Sequence, residues 1–157
     1  MNKKNIDTIA VIDYGSQYTQ LIARRIRELN IYSEIFKHNI SIDELRKKNV
    51  KGIILSGGPS SVYDKNAPSL NLNLFDLNIP ILGICYGLQL LLINTKGKVS
   101  KGKIGEYGNA SIKKMNDNIL FKNVPNRINV WMSHADRAEK LGSNWDSLAI
   151  SKNNIIS

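Results

Sequence analysis

Cysteine is scarce in this sequence, which has only Cys85 among its 157 residues. A single cysteine cannot form an internal disulfide, so the small secreted folds that depend on disulfides are excluded. The N-terminal region has one short apolar run, from Ile9 to Ile12, which Asp13 ends, and no signal peptide is predicted there. We therefore expect a cytoplasmic protein.

Long hydrophobic runs are also missing. The longest apolar stretch, residues 79–93, is interrupted by Pro80, two glycines and Gln89. It is shorter than the roughly 20 apolar residues that a membrane-spanning helix needs. The sequence therefore predicts no membrane partner.

Aromatic residues make up 7% of the chain and do not alternate with its basic residues. Proteins that bind single-stranded nucleic acid combine the two, because bases stack on aromatic rings inside a basic groove. The net charge of +9 comes largely from lysines scattered between Lys3 and Lys152, in a chain rich in lysine, asparagine and isoleucine. We attribute the charge to this composition and expect no nucleic-acid partner.

Strand-like segments alternate with segments of helical period, which is typical of a parallel sheet covered by helices. The pattern predicts strands at residues 6–13, 31–36, 52–56 and 79–84, and helices at 17–29, 41–48, 69–77 and 88–93. Ser41-Ile42-Asp43-Glu44 has the form of a capping box at the start of the second helix. Beyond Gly97, short apolar pieces favour a small β extension. We predict one domain over residues 1–157 with a three-layer α/β fold, in which helices flank a mostly parallel sheet.

The helix predicted at 17–29 is amphipathic. Its apolar residues recur at helical spacing and are expected to pack on the sheet; they are Tyr18, Leu21, Ile22, Ile26 and Leu29. The other face carries most of the charged residues Arg24, Arg25, Arg27 and Glu28. Two interpretations of these arginines stay open, a solvated helix face or a docking surface for a partner domain.

The segment Gly83-Ile84-Cys85-Tyr86-Gly87 lies where a buried strand ends and an apolar helix begins. A nucleophile between two such glycines is typical of a nucleophile elbow, a sharp turn that lifts the side chain out of the sheet. The N-terminus of the following helix favours the anionic form of the sulfur. Cys85 is therefore predicted to be a nucleophile rather than an inert core cysteine.

Ser56-Gly57-Gly58-Pro59 follows the preceding predicted strand. In parallel sheets, catalytic groups gather at the carboxyl ends of the strands, and glycines expose backbone N–H groups without side chains in the way. The N–H groups of Gly58 and Tyr86 could together stabilise the oxyanion of a tetrahedral intermediate formed on Cys85. The other interpretation of the Gly-Gly-Pro segment is an ordinary turn.

Five segments of the chain resemble the class I glutamine amidotransferases, in particular the glutaminase part of bacterial GMP synthetases. They lie at residues 13–28, 54–59, 83–89, 105–108 and 130–134, and together they extend across nearly the whole chain. The elbow and the Gly-Gly-Pro segment are shared by many class I amidotransferases. The opening segment and Trp131-Met132-Ser133-His134 resemble the GMP synthetase branch specifically. The resemblance implies a flavodoxin-like fold.

The resemblance also implies that Cys85 attacks the carboxamide of L-glutamine, that ammonia leaves, and that water releases glutamate from the resulting thioester. By motif position, Gly58 and Tyr86 would stabilise the oxyanion. The α-amino and α-carboxylate groups of glutamine would be held by Gln89, Ser133, His134 and Asp136. Ammonia would pass to an ATP-dependent GMP synthetase domain or subunit that aminates XMP. ATP and magnesium belong to that partner, so no cofactor or metal is expected in this chain.

The chain departs from the family at three places. Ala135 replaces a glycine in the Ser133–Asp136 segment, and it would be strained if that residue needs a positive φ. Thr95-Lys96-Gly97 replaces a glycine pair after the elbow helix. The His-Pro-Glu segment that carries the family's catalytic base does not occur in the 157 residues. We therefore expect a domain truncated at its C-terminal end, with little glutaminase activity on its own.

Neither of the two histidines is a strong substitute for that base. His38 lies between Lys37 and Asn39 and is expected on the surface. His134 belongs to the segment that the family uses to hold glutamine.

One alternative to an ammonia-supplying glutaminase is a catalytically incomplete glutamine-binding or docking module from a split gene. Another is a different class I amidotransferase, such as that of anthranilate synthesis, against which the opening Gly15-Ser16-Gln17-Tyr18 argues.

Overall fold

The computed structural model describes residues 6–152 and Ile156, with only the backbone at residues 102–106. The chain divides into two compact units, unit 1 at Met1–Leu91 and unit 2 at Leu92–Ser157. The expectation of one domain over residues 1–157 stays a prediction. No helix within the described residues is both long enough and apolar enough to cross a lipid bilayer.

Unit 1 is built on a parallel sheet of four strands. They are β1 (Thr8–Asp13), β2 (Tyr32–Lys37), β3 (Val50–Leu55) and β4 (Ile81–Gly83). Their order in the sheet is β2-β1-β3-β4, and each neighbouring pair is parallel. The central strands carry fully buried side chains such as Val11, Ile12 and Leu55, which explains their near-continuous apolar sequences. The predicted α/β fold with a mostly parallel sheet is confirmed.

Helices connect or follow these strands at α1 (Thr19–Glu28), α2 (Ile42–Lys47) and α3 (Tyr86–Asn94). The predicted capping box starts α2, because the Glu44 N–H donates to Ser41 Oγ at 3.3 Å and the Ser41 N–H donates to Glu44 Oε2 at 3.4 Å. These two bonds satisfy backbone donors that the first turn of a helix leaves unpaired.

The helix predicted at residues 69–77 is confirmed only in part. A single 3-10 helix occupies Leu72–Leu77. Asn71 Oδ1 accepts the Asn73 N–H at 3.1 Å, and Asn78 ends the segment in the left-handed region with φ 51°. Asparagine side chains compete with helical hydrogen bonding in this way, which explains why no α-helix forms over the predicted range.

The predicted buried face of α1 is also wrong in part. The residues of α1 that are buried are Thr19 and Ala23, whereas Leu21 is 44% exposed and Leu29, just after the helix, 73% exposed. Thr19 Oγ1 donates to Asp13 Oδ1 at 2.8 Å, and Ser33 Oγ donates to the Ala23 carbonyl at 2.9 Å. These polar anchors set the face of the helix that meets the sheet, and small residues on that face let the helix approach closely.

Unit 2 contains a three-stranded antiparallel sheet in the order β6-β5-β7. Its strands are β5 (Lys98–Lys114), β6 (Arg127–Lys140) and β7 (Ala149–Ser151). The prediction of a β extension is confirmed, but two of its strands are long rather than short. Successive residues of β6 alternate between exposed and half-buried, so the apolar side chains are spread thinly along each strand and look like separate short pieces in the sequence.

Lys96 lies two residues after α3 and has φ 64°, and the Gly97 N–H beyond it donates to the Leu92 carbonyl at 2.8 Å. A left-handed residue after a helix is commonly glycine, because a Cβ costs about 1 kcal/mol there. Lys96→Gly should therefore raise the free energy of unfolding by about 0.5–1 kcal/mol, measured by urea denaturation. Lys113→Gly, at an exposed position of β5, is the control and should lower it; equal effects of both changes would contradict the prediction.

Candidate active site

Cys85 lies between the end of β4 and the start of α3, and its φ is 52°. A positive φ is uncommon for a residue other than glycine, and such strained residues concentrate at functional sites. The turn is closed on both sides, because the Ile84 N–H donates to the Leu55 carbonyl at 2.9 Å and the Gln89 N–H donates to the Cys85 carbonyl at 3.0 Å. The strand, turn and helix of a nucleophile elbow are present at this cysteine.

The two glycines beside the elbow supply space rather than a left-handed backbone. Neither Gly83 nor Gly87 has a positive φ. A Cβ on Gly83 would lie 2.6 Å from the Leu88 nitrogen, and a Cβ on Gly87 would lie 2.4 Å from the Leu55 carbonyl oxygen. The sequence pattern identified the glycines correctly, but the strained backbone conformation falls on Cys85 itself.

The loop after β3 runs beside the nucleophile. A Cβ placed on Gly57 would lie 3.5 Å from the Cβ of Cys85 and 3.7 Å from Ser16 Oγ. Gly58 passes directly over Tyr14, since a Cβ there would lie 2.4 Å from the Tyr14 carbonyl oxygen. The carboxyl ends of β1, β3 and β4 therefore meet at one edge of the sheet, as parallel α/β sheets require of a site. Gly58, Cys85 and Tyr86 all lie at this edge, with Gly57 beside Cys85.

Sequence reasoning missed Tyr14, whose side chain is 3% exposed. Its ring stacks on His38 with centroids 6.1 Å apart and tilts against Tyr86 at 5.7 Å. Burial, followed by the proximity of Tyr86, raises the pKa of Tyr14 to about 12. The exposed position predicted for His38 is confirmed, although its ring covers Tyr14.

Tyr86 is also buried, at 1% exposure. Its hydroxyl donates to the Pro68 carbonyl at 2.7 Å, whereas that of Tyr14 has no partner among the residues that the structure describes. Burial is the main cause that raises the pKa of Tyr86, with the Asp64 carboxylate second. The side chain is thus held inside unit 1, and only the backbone N–H of Tyr86 is a candidate for contact with an oxyanion.

Tyr14→Phe is expected to leave the stability at pH 7 unchanged or higher, because Tyr14 Oη is buried without a hydrogen-bond partner among the described residues and a buried unpaired hydroxyl is unfavourable. Above pH 10 the unfolded chain loses the Tyr14 proton while the folded chain keeps it until about pH 12. Stability is therefore lost as pH rises through that window, by up to about 2–3 kcal/mol.

Thermal unfolding followed from pH 7 to pH 11.5 tests this prediction, and Tyr14→Phe should reduce the alkaline loss. Tyr86→Phe is the matched control, because it removes the hydrogen bond to Pro68 and should cost about 1 kcal/mol at pH 7. A Tyr14→Phe variant that is destabilised as much as Tyr86→Phe would show that the Tyr14 hydroxyl has a partner.

The residues predicted to hold glutamine fall in both units. Gln89 lies in α3 within unit 1 and is 6% exposed, whereas Ser133, His134 and Asp136 lie in β6 of unit 2. The Ser133–Asp136 segment is part of a strand and not a loop. His134 and Asp136 are half-buried on one face of that strand, and Ser133 is exposed on the other. Ala135 has no positive φ, so the strain expected from replacing glycine is absent.

Comparison with known proteins places these features in a family. The family model for class I glutamine amidotransferases matches residues 10–157. A glutamine-hydrolysing GMP synthase from Campylobacter lari is 52% identical over 145 residues, and one from Borrelia garinii is 48% identical over 154 residues. These matches cover 92% and 98% of this chain, but the chain spans only 28% and 29% of the length of those relatives.

Comparison with solved structures points to the same family as comparison with sequences. A protein from Thermoplasma acidophilum, described as a candidate GMP synthase subunit, superposes with a TM-score of 0.79 at 30% identity, covering 97% of this chain and 76% of that one. A glutamine amidotransferase from Thermotoga maritima has the same fold, with a TM-score of 0.75 at 20% identity over 96% of this chain and 69% of that one. With the elbow, the glycine loop and the parallel sheet all in place, the chain belongs to the class I glutamine amidotransferase family.

Proposed function

We propose that this chain is the glutamine-hydrolysing part of a GMP synthase, a cytoplasmic protein that supplies ammonia for the amination of XMP to GMP. One observation carries the chemistry: Cys85 occupies a strained turn at the start of α3, beside the Gly57-Gly58 loop. The branch of the family is supported by GMP synthases that are about half identical to this chain.

In the proposed reaction the Cys85 sulfur attacks the carboxamide carbon of glutamine. A C–S bond forms, and the carbonyl electron pair moves onto oxygen, where the N–H groups of Gly58 and Tyr86 stabilise the charge. The C–N bond then breaks as the nitrogen takes a proton and leaves as ammonia. Water attacks the thioester, releases glutamate and restores the thiol.

Recognition of the amino-acid end of glutamine is assigned to Gln89, Ser133, His134 and Asp136. The chemistry of these types suits the role, because the Asp136 carboxylate can pair with an ammonium group, and amide, hydroxyl and imidazole groups can donate to a carboxylate. Since His134 and Asp136 share one face of β6 and Ser133 does not, the first two are the stronger candidates.

The proposed partner is an ATP-dependent GMP synthetase domain or subunit, which would use ATP and magnesium itself.

The arginines of α1 are a weak candidate for the docking surface of that partner. Arg24 and Arg25 both pair with Glu28, at 3.0 and 2.8 Å, and Arg27 donates to the Ser33 carbonyl at 2.8 Å. These contacts favour the interpretation that the arginines form a solvated helix face rather than a docking surface. Reversing the charge of Arg24 and Arg25 should therefore leave capture by a synthetase partner unchanged in a pull-down.

Selective acylation of Cys85 tests the proposed function. The L-γ-glutamyl p-nitrophenyl ester should acylate Cys85 at least about tenfold faster than the β-aspartyl ester, which is one methylene shorter, because a pocket discriminates a methylene by about 1–3 kcal/mol. Intact-protein mass spectrometry measures the thioester, and Cys85→Ala gives the background. Equal rates with the two esters would contradict a glutamine site.

The 157 residues contain no His-Pro-Glu segment. The second candidate function is that a polypeptide of these residues alone acts as a module that binds glutamine or docks on a synthetase without hydrolysing glutamine. Calorimetric titration with L-glutamine distinguishes this case, because binding without any Cys85 thioester from the γ-glutamyl ester supports the module.

A further inference from the structure

Ser56 joins the three backbone segments that form the candidate site. It is 0% exposed and lies between β3 and the Gly57-Gly58 loop. Its N–H donates to the Ile12 carbonyl at 3.0 Å, and its carbonyl accepts the Gly87 N–H of the elbow at 3.1 Å. Its hydroxyl accepts the Tyr14 N–H at 3.0 Å and donates to the Gly57 carbonyl at 2.9 Å.

The bond from the Ser56 hydroxyl to the Gly57 carbonyl fixes the peptide between Gly57 and Gly58. No peptide bond in the described residues is cis, and in a planar trans peptide the C=O and the following N–H point in opposite directions. Holding the Gly57 carbonyl therefore directs the Gly58 N–H to the opposite side. The orientation matters because a peptide between two glycines turns over more easily than any other.

We propose that Ser56 is a positioning residue that orients the Gly58 N–H as an oxyanion donor and ties it to the elbow of Cys85. The Ser56 hydroxyl holds the loop through its hydrogen bond to the Gly57 carbonyl, and the Ser56 carbonyl holds the elbow by accepting the Gly87 N–H. The inference rests on the proposed acyl transfer at Cys85, but it does not require glutamine to be the acyl donor.

Replacing Ser56 by alanine would remove only the hydroxyl. The Tyr14 N–H and the Gly57 carbonyl would then be buried without their hydrogen-bond partner, which is unfavourable. Rotation of the Gly57–Gly58 peptide is the simplest change that lets the Gly57 carbonyl find another partner. That rotation would carry the Gly58 N–H away from its present direction. Attack on a carbonyl by Cys85 would lose one donor, whereas a displacement reaction that forms no oxyanion would not.

Two reagents separate these effects in the full chain. With p-nitrophenyl acetate, the Cys85 sulfur bonds to the carbonyl carbon through a tetrahedral oxyanion, and the C–O bond breaks to release p-nitrophenolate. With iodoacetamide, the sulfur displaces iodide and no oxyanion forms. Because both reactions use the thiolate, the ratio of their rate constants cancels changes in its population and accessibility. Cys85→Ala gives the background of both.

Ser56→Ala should lower the ratio of acylation to alkylation at least about tenfold, since one oxyanion donor is typically worth 10²–10³ in rate with an unactivated substrate. Ser33→Ala is the matched control. Ser33 is also 0% exposed, its hydroxyl donates to the Ala23 carbonyl at 2.9 Å, and β1 separates its strand from β3. Its ratio should stay within twofold of the wild type. Ser56→Thr keeps the hydroxyl, and its ratio should stay within about threefold even if its melting temperature falls.

A Ser56→Ala ratio equal to that of Ser33→Ala would overturn the proposal, as would a Ser56→Thr ratio as low as that expected for alanine. A wild-type ratio no higher than that of N-acetylcysteine would also overturn it, because there would be no donor to orient. These outcomes are independent of the γ-glutamyl ester experiment. Loss of glutamyl selectivity with a Ser56-dependent ratio would reject glutamine as the substrate and keep the role of Ser56.

Discussion

A polypeptide of these 157 residues is expected to hydrolyse glutamine at least about 10³-fold more slowly than its Cys85 is acylated by the γ-glutamyl p-nitrophenyl ester. The leaving groups explain the difference. p-Nitrophenolate departs without help, whereas an amide nitrogen leaves only after it gains a proton from a general acid. The oxyanion donors proposed at Gly58 and Tyr86 serve both substrates, but they cannot provide that proton.

Histidine is the side chain that most often acts as a general acid near neutral pH, and this chain has two. His38 stacks on Tyr14 and is exposed, and His134 is a residue of β6 to which we assign binding of the amino-acid end of glutamine. We expect neither to replace the His-Pro-Glu segment of the family, in which a carboxylate accompanies the histidine. A catalytic cysteine without its base typically loses several powers of ten in rate.

Ammonia release from glutamine and the thioester at Cys85 are measured on the same preparation, with Cys85→Ala as the blank for both. His38→Ala should change neither rate. Cys85-dependent ammonia release at a rate close to that of ester acylation would contradict the prediction. Loss of that release in His134→Ala, with acylation by the γ-glutamyl ester retained, would then identify His134 as the proton-transferring group rather than a binding residue.

The turn at Cys85, between a strand and a helix, could be predicted from the sequence because its signal is local. Two glycines around Cys85, an apolar strand before it and an apolar helix after it together specify the elbow. The capping box at Ser41 and Glu44 is equally local and was predicted for the same reason. Both patterns depend on residues within a few positions of one another.

The structure departs from the sequence-based prediction where distant residues decide the outcome. The buried face of α1 depends on a hydrogen bond from Thr19 to Asp13 and on one from Ser33 to the Ala23 carbonyl. Asp13 and Ser33 lie outside the helix, so the spacing of its apolar residues cannot predict either bond. Tyr14 and Ser56 belong to the candidate site only because the ends of β1 and β3 are neighbours in the sheet. Their roles depend on pairing across 42 residues of chain, which periodicity does not report.

Gly87→Ala is expected to destabilise the protein by about 2 kcal/mol or more, although alanine is the better helix former by about 1 kcal/mol. The new Cβ would lie 2.4 Å from the Leu55 carbonyl oxygen and 2.6 Å from the Leu55 Cβ. Neither atom of Leu55 can move easily to make room for the new Cβ. Leu55 is 0% exposed, and its carbonyl accepts the Ile84 N–H at 2.9 Å. Relief therefore requires α3 to move away from β3, and overpacking of this kind outweighs the gain in helix propensity.

Gly57→Ala is the control that separates crowding from the general effect of replacing a glycine. Its Cβ would meet the Cβ of Cys85 at 3.5 Å, an ordinary van der Waals distance, and its φ is not positive. Urea denaturation should therefore show a change within about 0.5–1 kcal/mol for Gly57→Ala and a much larger loss for Gly87→Ala. Because α3 begins directly after Cys85, the same shift should also slow alkylation of the thiol by iodoacetamide in Gly87→Ala. A Gly87→Ala variant as stable and as reactive as the wild type would mean that the helix can approach the sheet at this position without glycine.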